Sequence, residues 1–165
     1  MFKIILNPPH IVEEQSLKEY ESIGELIEGI FPLSTDFFYI SWNNIDVSLS
    51  YKYDLSIIFE DFVYIIKFLE SKDRILKLAF PSNTFNVVWN IRKEGNNISI
   101  LSQWNTVLSH NEKTLNDNSF LNIDSNLFKN ELSKILKFIY EIIINKKESI
   151  NGQLLNDIFY NKPNI

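Results

Sequence analysis

The chain has 165 residues, 45% of them apolar, and a formal net charge of −5. This length predicts one globular domain over residues 1–165, and the apolar content suffices for a packed core, which excludes a disordered chain. Because the sequence has no cysteine, disulfides, thiolate catalysis and thiolate–metal sites are excluded.

The N-terminal residues predict a short strand and not a secretion signal. Lys3–Leu6 is a brief apolar run with one charge, and Pro8 and Pro9 then stop it. The longest later apolar stretch, 57–69, contains three charged residues and falls short of the roughly 18–20 apolar residues of a membrane span. We therefore expect a cytoplasmic protein with no membrane partner.

The next segment is predicted to be a helix with a strongly acidic surface. Ser16 and Glu19 form a capping-box pattern at its start, apolar residues follow at helical spacing, and Pro32 closes it. Six of the 21 acidic residues but only one of the 16 basic residues fall within residues 13–28, so the rest of the chain carries 15 of each. The six acids are Glu13, Glu14, Glu19, Glu21, Glu25 and Glu28.

Two interpretations of this acidic segment stay open. It is either a solvated helix face or a surface that attracts a basic protein partner. Under both interpretations the negative field repels nucleic acid, because nucleic-acid binding needs cations that neutralise phosphates. We expect no direct contact with nucleic acid.

A β-hairpin is predicted on either side of Asn43-Asn44. Asparagine tolerates the positive φ of a two-residue hairpin turn, and this turn places apolar residues opposite one another on one face of the hairpin. The pairs are Trp42 with Ile45, Ile40 with Val47, and Phe38 with Leu49. The register and the turn chemistry therefore agree.

Two aromatic residues fall on the opposite, polar face of this hairpin. Phe37 and Tyr39 alternate with the apolar residues and lie beside serines. Either a helix covers them, or they are aromatic contacts for a partner protein.

A second helix is predicted to run to about Ser71, capped by Asp54 or Ser56. Its main apolar stripe has helical spacing. Ile57, Tyr64 and Phe68 lie outside that stripe, so we expect other parts of the protein to cover this helix on more than one side.

The following region predicts strands at Ile75–Phe80, Phe85–Arg92 and Ile98–Trp104. An even-length loop between the second and third of these keeps their apolar residues on one face. Asn105–Ser119 is polar with little periodicity and predicts a long loop, and Phe120–Asp124 predicts a short strand.

A long amphipathic helix is predicted to begin at Asp124 or Ser125, and a short last helix at Ser149–Tyr160. Strands and helices do not alternate regularly along the chain. This order predicts an α+β fold with a largely antiparallel sheet of five to seven strands, packed with three to four helices.

The sequence shows no catalytic motif. His10 and His110 lie far apart in predicted loops, so an acid–base pair would require the fold to bring them together. The sequence has no histidine pair at the spacing of zinc ligands, no calcium-binding loop and no glycine-rich phosphate-binding loop. We therefore expect neither enzymatic activity nor a bound metal or cofactor.

Three tryptophans are each followed by asparagine: Trp42, Trp89 and Trp104. Such a repetition could form a platform for a carbohydrate or nucleotide. Their register instead places all three on apolar faces of strands, which favours core packing.

Several segments together resemble immunity proteins of bacterial contact-dependent growth inhibition and related polymorphic toxin systems. They are Phe31-Pro32-Leu33, Ser41-Trp42-Asn43, the strand to Tyr53 that leads into a helix, Trp89-Asn90-Ile91, Ser102-Gln103-Trp104 and the helix at Phe128–Leu132. The resemblance covers about two-thirds of the chain. It implies a cytoplasmic protein that binds one cognate toxin domain and blocks its active site or its access to substrate.

Many such toxins are nucleases with basic surfaces, which the acidic segment would complement. Because the binding residues vary between pairs, none can be carried over from the family. From the residues themselves we predict the partner surface to be the six glutamates together with Phe37 and Tyr39. The alternatives are another protein-interaction or regulatory module, and a small-ligand-binding protein or enzyme with a site assembled from loops.

Overall fold

Seven strands form two antiparallel sheets in the computed structural model, which describes residues 1–12 and 20–145. The three-stranded sheet has the order β1 (Phe2–Ile5), β2 (Phe37–Trp42), β3 (Ile45–Ser50). The four-stranded sheet has the order β4 (Ile75–Pro81), β5 (Phe85–Glu94), β6 (Asn97–Val107), β7 (Phe120–Asp124). The α+β class is confirmed, although the strands divide between two sheets.

The helices of the described residues are α1 (Ile23–Ile30), α2 (Ser56–Glu70), α3 (Glu112–Asp117) and α4 (Ser125–Asn145). A π-helical turn, Tyr51–Leu55, joins β3 to α2. None of the described helices is long and apolar enough to cross a membrane. The predicted last helix, Ser149–Tyr160, lies outside the described residues.

Both predicted hairpins form in the expected register. Asn43 and Asn44 have φ values of 50° and 66°, and all three apolar pairs across the first hairpin are as predicted. The β5–β6 turn has two residues, Gly95 and Asn96, with φ of 64° at Gly95. Positive φ matches the twist of the flanking strands, so the chemistry of the turn residues determines both registers.

The predicted loop at Asn105–Ser119 was wrong. β6 continues to Val107, and α3 follows it. A carboxylate oxygen of Glu112 accepts a hydrogen bond from the Val107 N–H at 2.8 Å, and this bond holds the pKa of Glu112 below its usual range. Only Leu115 of α3 is buried, so this short helix leaves no apolar periodicity in the sequence.

The helix starts differ from the predicted ones, except at α4. Ser22 caps α1 by accepting from the Glu25 N–H at 3.2 Å, and the predicted capping pair Ser16 and Glu19 lies outside the described residues. Neither Asp54 nor Ser56 caps α2, because the π-helical turn precedes it. Asp124 caps α4, as predicted, by accepting from two backbone N–H groups.

The two sheets share one hydrophobic core, to which all three tryptophans contribute. Trp42 of the three-stranded sheet stacks on Trp89 of the four-stranded sheet, with ring centroids 5.6 Å apart. Trp104 meets Trp42 edge-on at 5.4 Å. Core packing of the tryptophans is therefore confirmed, and this aromatic cluster is the joint between the sheets.

Candidate protein-interaction surface

The described part of the acidic segment presents its carboxylates on one side of α1. Ile23, Leu26, Ile27 and Ile30 of this helix are buried, while Glu21, Glu25 and Glu28 are exposed. Burial of the apolar side thus fixes the direction of the acidic side. The other three predicted glutamates, Glu13, Glu14 and Glu19, lie outside the described residues.

These carboxylates are not neutralised within the described chain. Glu21, Glu25 and Glu28 take part in no ion pair among the described residues, and α1 contains no basic residue. Glu25 accepts a hydrogen bond from the Glu21 N–H at 3.1 Å, which holds its side chain near the helix start. The result is an exposed patch of uncompensated negative charge.

A glycine brings α1 against the start of α2. A Cβ at Gly24 would lie 2.6 Å from the carbonyl oxygen of Ser56, closer than real Cβ atoms approach, so a larger residue would push the helices apart. Glycine at this position lets the two backbones approach. The helix that carries the acidic side is therefore held against the start of α2.

The exposed side of α2 carries two large apolar residues and two acids. Ile57 and Tyr64 are 50% and 53% exposed, which contradicts the expectation that other parts of the protein cover them, whereas Phe68 is buried as expected. Glu60 and Asp61 lie between them in the helix. Residues 57, 61 and 64 follow the spacing of one helix face, so Asp61 is flanked by Ile57 and Tyr64.

Asp61 is a carboxylate without a partner among the described residues. Burial, together with the neighbouring charge of Glu60, raises the pKa of Asp61 from 3.8 to about 6. A half-buried, unpaired carboxylate gains from a cation that approaches it, because the cation stabilises its charged form. Asp61 is therefore suited to accept a lysine or arginine side chain from a partner.

The sequence did not single out Ile57, Asp61 or Tyr64 as site residues. The signal that could have found them is the pair of apolar residues seven positions apart, outside the main stripe of α2 and separated by two acids. Because a complete stripe already fills the core side of this helix, further apolar groups are left for another surface.

Phe37 and Tyr39 lie on the three-stranded sheet, on the side opposite its core face. Both are half-buried, and they sit opposite Ser50 and Ser48 of β3. No hydrogen bond or ring contact joins either of them to α1 among the described residues. No hydrogen bond or ring contact thus joins them to Glu21, Glu25 or Glu28, the described glutamates with which they were predicted to act.

A buried carboxylate, that of Asp54, links the two sheets. Asp54, fully buried in the π-helical turn, accepts from the Ser50 N–H at 2.8 Å, from Thr84 Oγ1 at 2.6 Å and from the Ser82 hydroxyl. These bonds tie the end of β3 to the β4–β5 turn. With all its neighbours serving as donors, Asp54 has a structural role.

The histidines remain in separate surroundings. His10 Nδ1 lies 3.1 Å from an Asp36 carboxylate oxygen, and His110 is exposed with a φ of 52°. No hydrogen bond joins them within residues 1–12 and 20–145. In the same part of the chain, no group of three or more metal-ligating side chains is close enough to hold a metal ion.

No protein-family model, curated protein or solved structure matches this chain.

Proposed function

We propose that this protein is an immunity protein, which binds a toxin domain with a basic surface and neutralises it. The contact surface comprises Glu21, Glu25 and Glu28 with the exposed side of α2. The observation that carries the proposal is the unpaired Asp61 between exposed Ile57 and Tyr64, beside an uncompensated acidic helix. The toxin as partner comes from the sequence resemblance.

The two parts of this surface have different tasks. Exposed aromatic side chains are common anchors of protein interfaces because they bury a large area at a low cost in conformational entropy. Tyr64 is such an anchor, and Asp61 beside it pairs with a basic side chain. The glutamates of α1 act at longer range and speed up the encounter with a basic protein.

Affinity capture from the source organism tests whether the surface binds. The bait is the intact chain, the triple variant Glu21→Lys, Glu25→Lys, Glu28→Lys, or a control triple variant Asp46→Lys, Asp117→Lys, Glu141→Lys. The control makes the same change of charge at exposed positions elsewhere. A partner captured by the wild type and the control but lost with the α1 variant supports the surface.

Association kinetics with the captured partner separate steering from anchoring. The α1 variant is expected to slow association at low salt, with little difference at high salt, because salt screens exposed charges. Tyr64→Ala is expected to speed up dissociation, while Leu127→Ala, which truncates an equally exposed residue of α4, should leave it unchanged. Unchanged kinetics in both surface variants would refute this surface.

Neutralisation needs its own measurement. Expression of the captured partner should stop growth of cells that lack this chain, and co-expression of the wild type should restore growth. A partner that binds the surface but does not impair growth would refute the immunity function and leave a protein-interaction module.

A further inference from the structure

On three of the four edge strands, one outward backbone group is bonded to a side chain. The Ile4 N–H of β1 donates to Glu131 at 2.8 Å, and the Ser50 N–H of β3 donates to Asp54. The Phe120 carbonyl of β7 accepts from Asn43 Nδ2 at 2.9 Å. The fourth edge strand, β4, is different.

The register shows which backbone groups of β4 face outward. The Lys93 N–H donates to the Arg74 carbonyl at 2.9 Å, so the pairs that exchange hydrogen bonds with β5 alternate from this one along the register. Ile75, Lys77 and Ala79 fall between those pairs. Their N–H and C=O groups therefore point away from β5.

These outward groups are open. Ile75 is 66% exposed, and Lys77 and Ala79 are exposed as well. Their outward groups have no hydrogen-bond partner among the residues that the structure describes. An edge strand of this kind can pair with another extended chain.

The charge around β4 is opposite to that around α1. The segment from residue 72 to residue 81 contains three bases and one acid, and Arg92 is exposed across from Ile75. Lys72, Arg74, Lys77 and Arg92 form no ion pair within the described part of the chain. A strand that binds here gains from carrying acidic side chains.

A second copy of β4 is a poor occupant of this edge. Two such strands would bring their lysines together, and like charges across a strand pair are destabilising. Pro81 lacks an N–H at the end of the strand, which also limits pairing there. The same lysine favours an acidic strand.

We propose that β4 is a docking edge for an extended, acidic segment of another protein. The segment adds a fifth strand to the four-stranded sheet, with its backbone bonded to Ile75, Lys77 and Ala79 and an acidic residue opposite Lys77. This proposal is independent of the proposed function, because it involves a different surface and the opposite charge.

A display library of random peptides with the length of β4, 7 residues, tests this proposal. The library is selected against the wild type, Ala79→Pro and Ala79→Ser. Proline at position 79 removes an outward N–H that the ladder with β5 does not use, and Pro81 already occupies the same orientation two residues later. Serine keeps the N–H and is the matched control.

The expected result is enrichment of peptides with acidic residues at alternate positions. Their affinity should fall about tenfold or more in Ala79→Pro, the loss of close to 1.4 kcal/mol that a missing backbone bond implies, and stay unchanged in Ala79→Ser. Lys77→Glu should reverse the preference toward basic peptides. In the bound state, amide hydrogen exchange at Ile75, Lys77 and Ala79 should slow.

Three results would overturn the proposal. They are selected peptides that bind Ala79→Pro as well as the wild type, enrichment without acidic residues, and self-association of the wild type that Ala79→Pro abolishes. The last would show that a second copy occupies the edge. Circular dichroism melts of all variants verify that each one folds.

Discussion

In the three-stranded sheet, the outward N–H of Ile4 on β1 meets the carboxylate of Glu131, whereas in the four-stranded sheet the outward N–H groups of β4 meet no side chain of the described chain. Glu131 belongs to α4, which packs against β1. Within residues 1–12 and 20–145, no acceptor bonds the outward N–H of Lys77. An outward N–H at a sheet edge is thus bonded where a helix supplies a carboxylate, as at Ile4, and has no partner among the described residues at Ile75, Lys77 and Ala79.

This difference separates the parts of the molecule that hold it together from the parts left for partners. Asp54 and Glu131 are carboxylates that accept backbone N–H groups. Among the described residues, Asp61 and Glu28 accept no backbone N–H, and Glu25 accepts one only from the adjacent turn, at Glu21. A negative charge that accepts backbone donors stabilises the fold, and one that lacks them is available to bind.

The largest expected effect concerns the joint between the sheets. Trp42→Ala and Trp89→Ala should each lower the free energy of unfolding by about 3–5 kcal/mol, because both side chains are fully buried and stacked. Denaturant melts measure this change. Variants whose free energy of unfolding stays within about 0.5 kcal/mol of the wild-type value would show that the sheets do not depend on this contact.

Asp54→Ala should have the next largest effect, a loss of about 3 kcal/mol. The substitution leaves the Ser50 N–H and the hydroxyls of Ser82 and Thr84 without their acceptor, in a buried position. Thr84→Val removes one of these donors and should cost about 1 kcal/mol. Equal losses in the two variants would mean that Asp54 does not act as the common acceptor.

Removing the side-chain acceptor at the edge of β1 should lower the free energy of unfolding by a smaller amount. Glu131→Ala removes the acceptor of the Ile4 N–H and should destabilise by about 1–2 kcal/mol, with faster amide exchange at Ile4. Glu141→Ala truncates an exposed glutamate of the same helix and is the control. If exchange at Ile4 is unchanged, the edge is closed by something other than this carboxylate.

The smallest effect concerns Asp61, whose carboxylate lacks the partner that Glu131 has. Its pKa of about 6 exceeds the ordinary 3.8, so the folded state binds more protons between these values. The free energy of unfolding should therefore fall as pH rises from about 4 to about 6. Asp61→Asn should flatten that dependence and stabilise the protein at pH 7 by up to about 1 kcal/mol.

Chemical denaturation at a series of pH values measures this. Glu60→Gln serves as a comparison, because it removes the neighbouring charge and should lower the pKa of Asp61 without removing its carboxyl group. If the free energies of unfolding of the wild type and Asp61→Asn change in parallel from pH 4 to pH 7, burial does not raise the pKa of Asp61.

The elements read best from the sequence are those specified by neighbouring residues. Asn43-Asn44 and the alternation around it specify a hairpin, and the spacing of the α4 stripe specifies a long helix. By contrast, α3 buries a single leucine, Leu115, and leaves no pattern to read. The π-helical turn depends on Asp54 reaching Ser82 and Thr84, which are 28 and 30 residues away.

The sequence predicted only part of the candidate surface. Glu21, Glu25 and Glu28 could be placed on one side of a helix because the apolar residues between them define the buried side. Exposure of Ile57 and Tyr64 could not be predicted, because an apolar residue in a helix shows no sign of whether another element will cover it. The open edge of β4 likewise depends on residues distant in sequence, since no other described element bonds its outward groups.

The contact between β1 and α4 has a consequence for folding during synthesis. Ile4 and Glu131 are 127 residues apart, and the Phe2 ring packs on that of Phe128 with centroids 4.6 Å apart. β1 is thus synthesised long before α4, the last described helix, which supplies the acceptor for Ile4 and packs on Phe2. Until α4 forms, the Ile4 N–H and the side of Phe2 that faces Phe128 are accessible to chaperones and to other nascent chains, so truncation before α4 should yield an aggregating species.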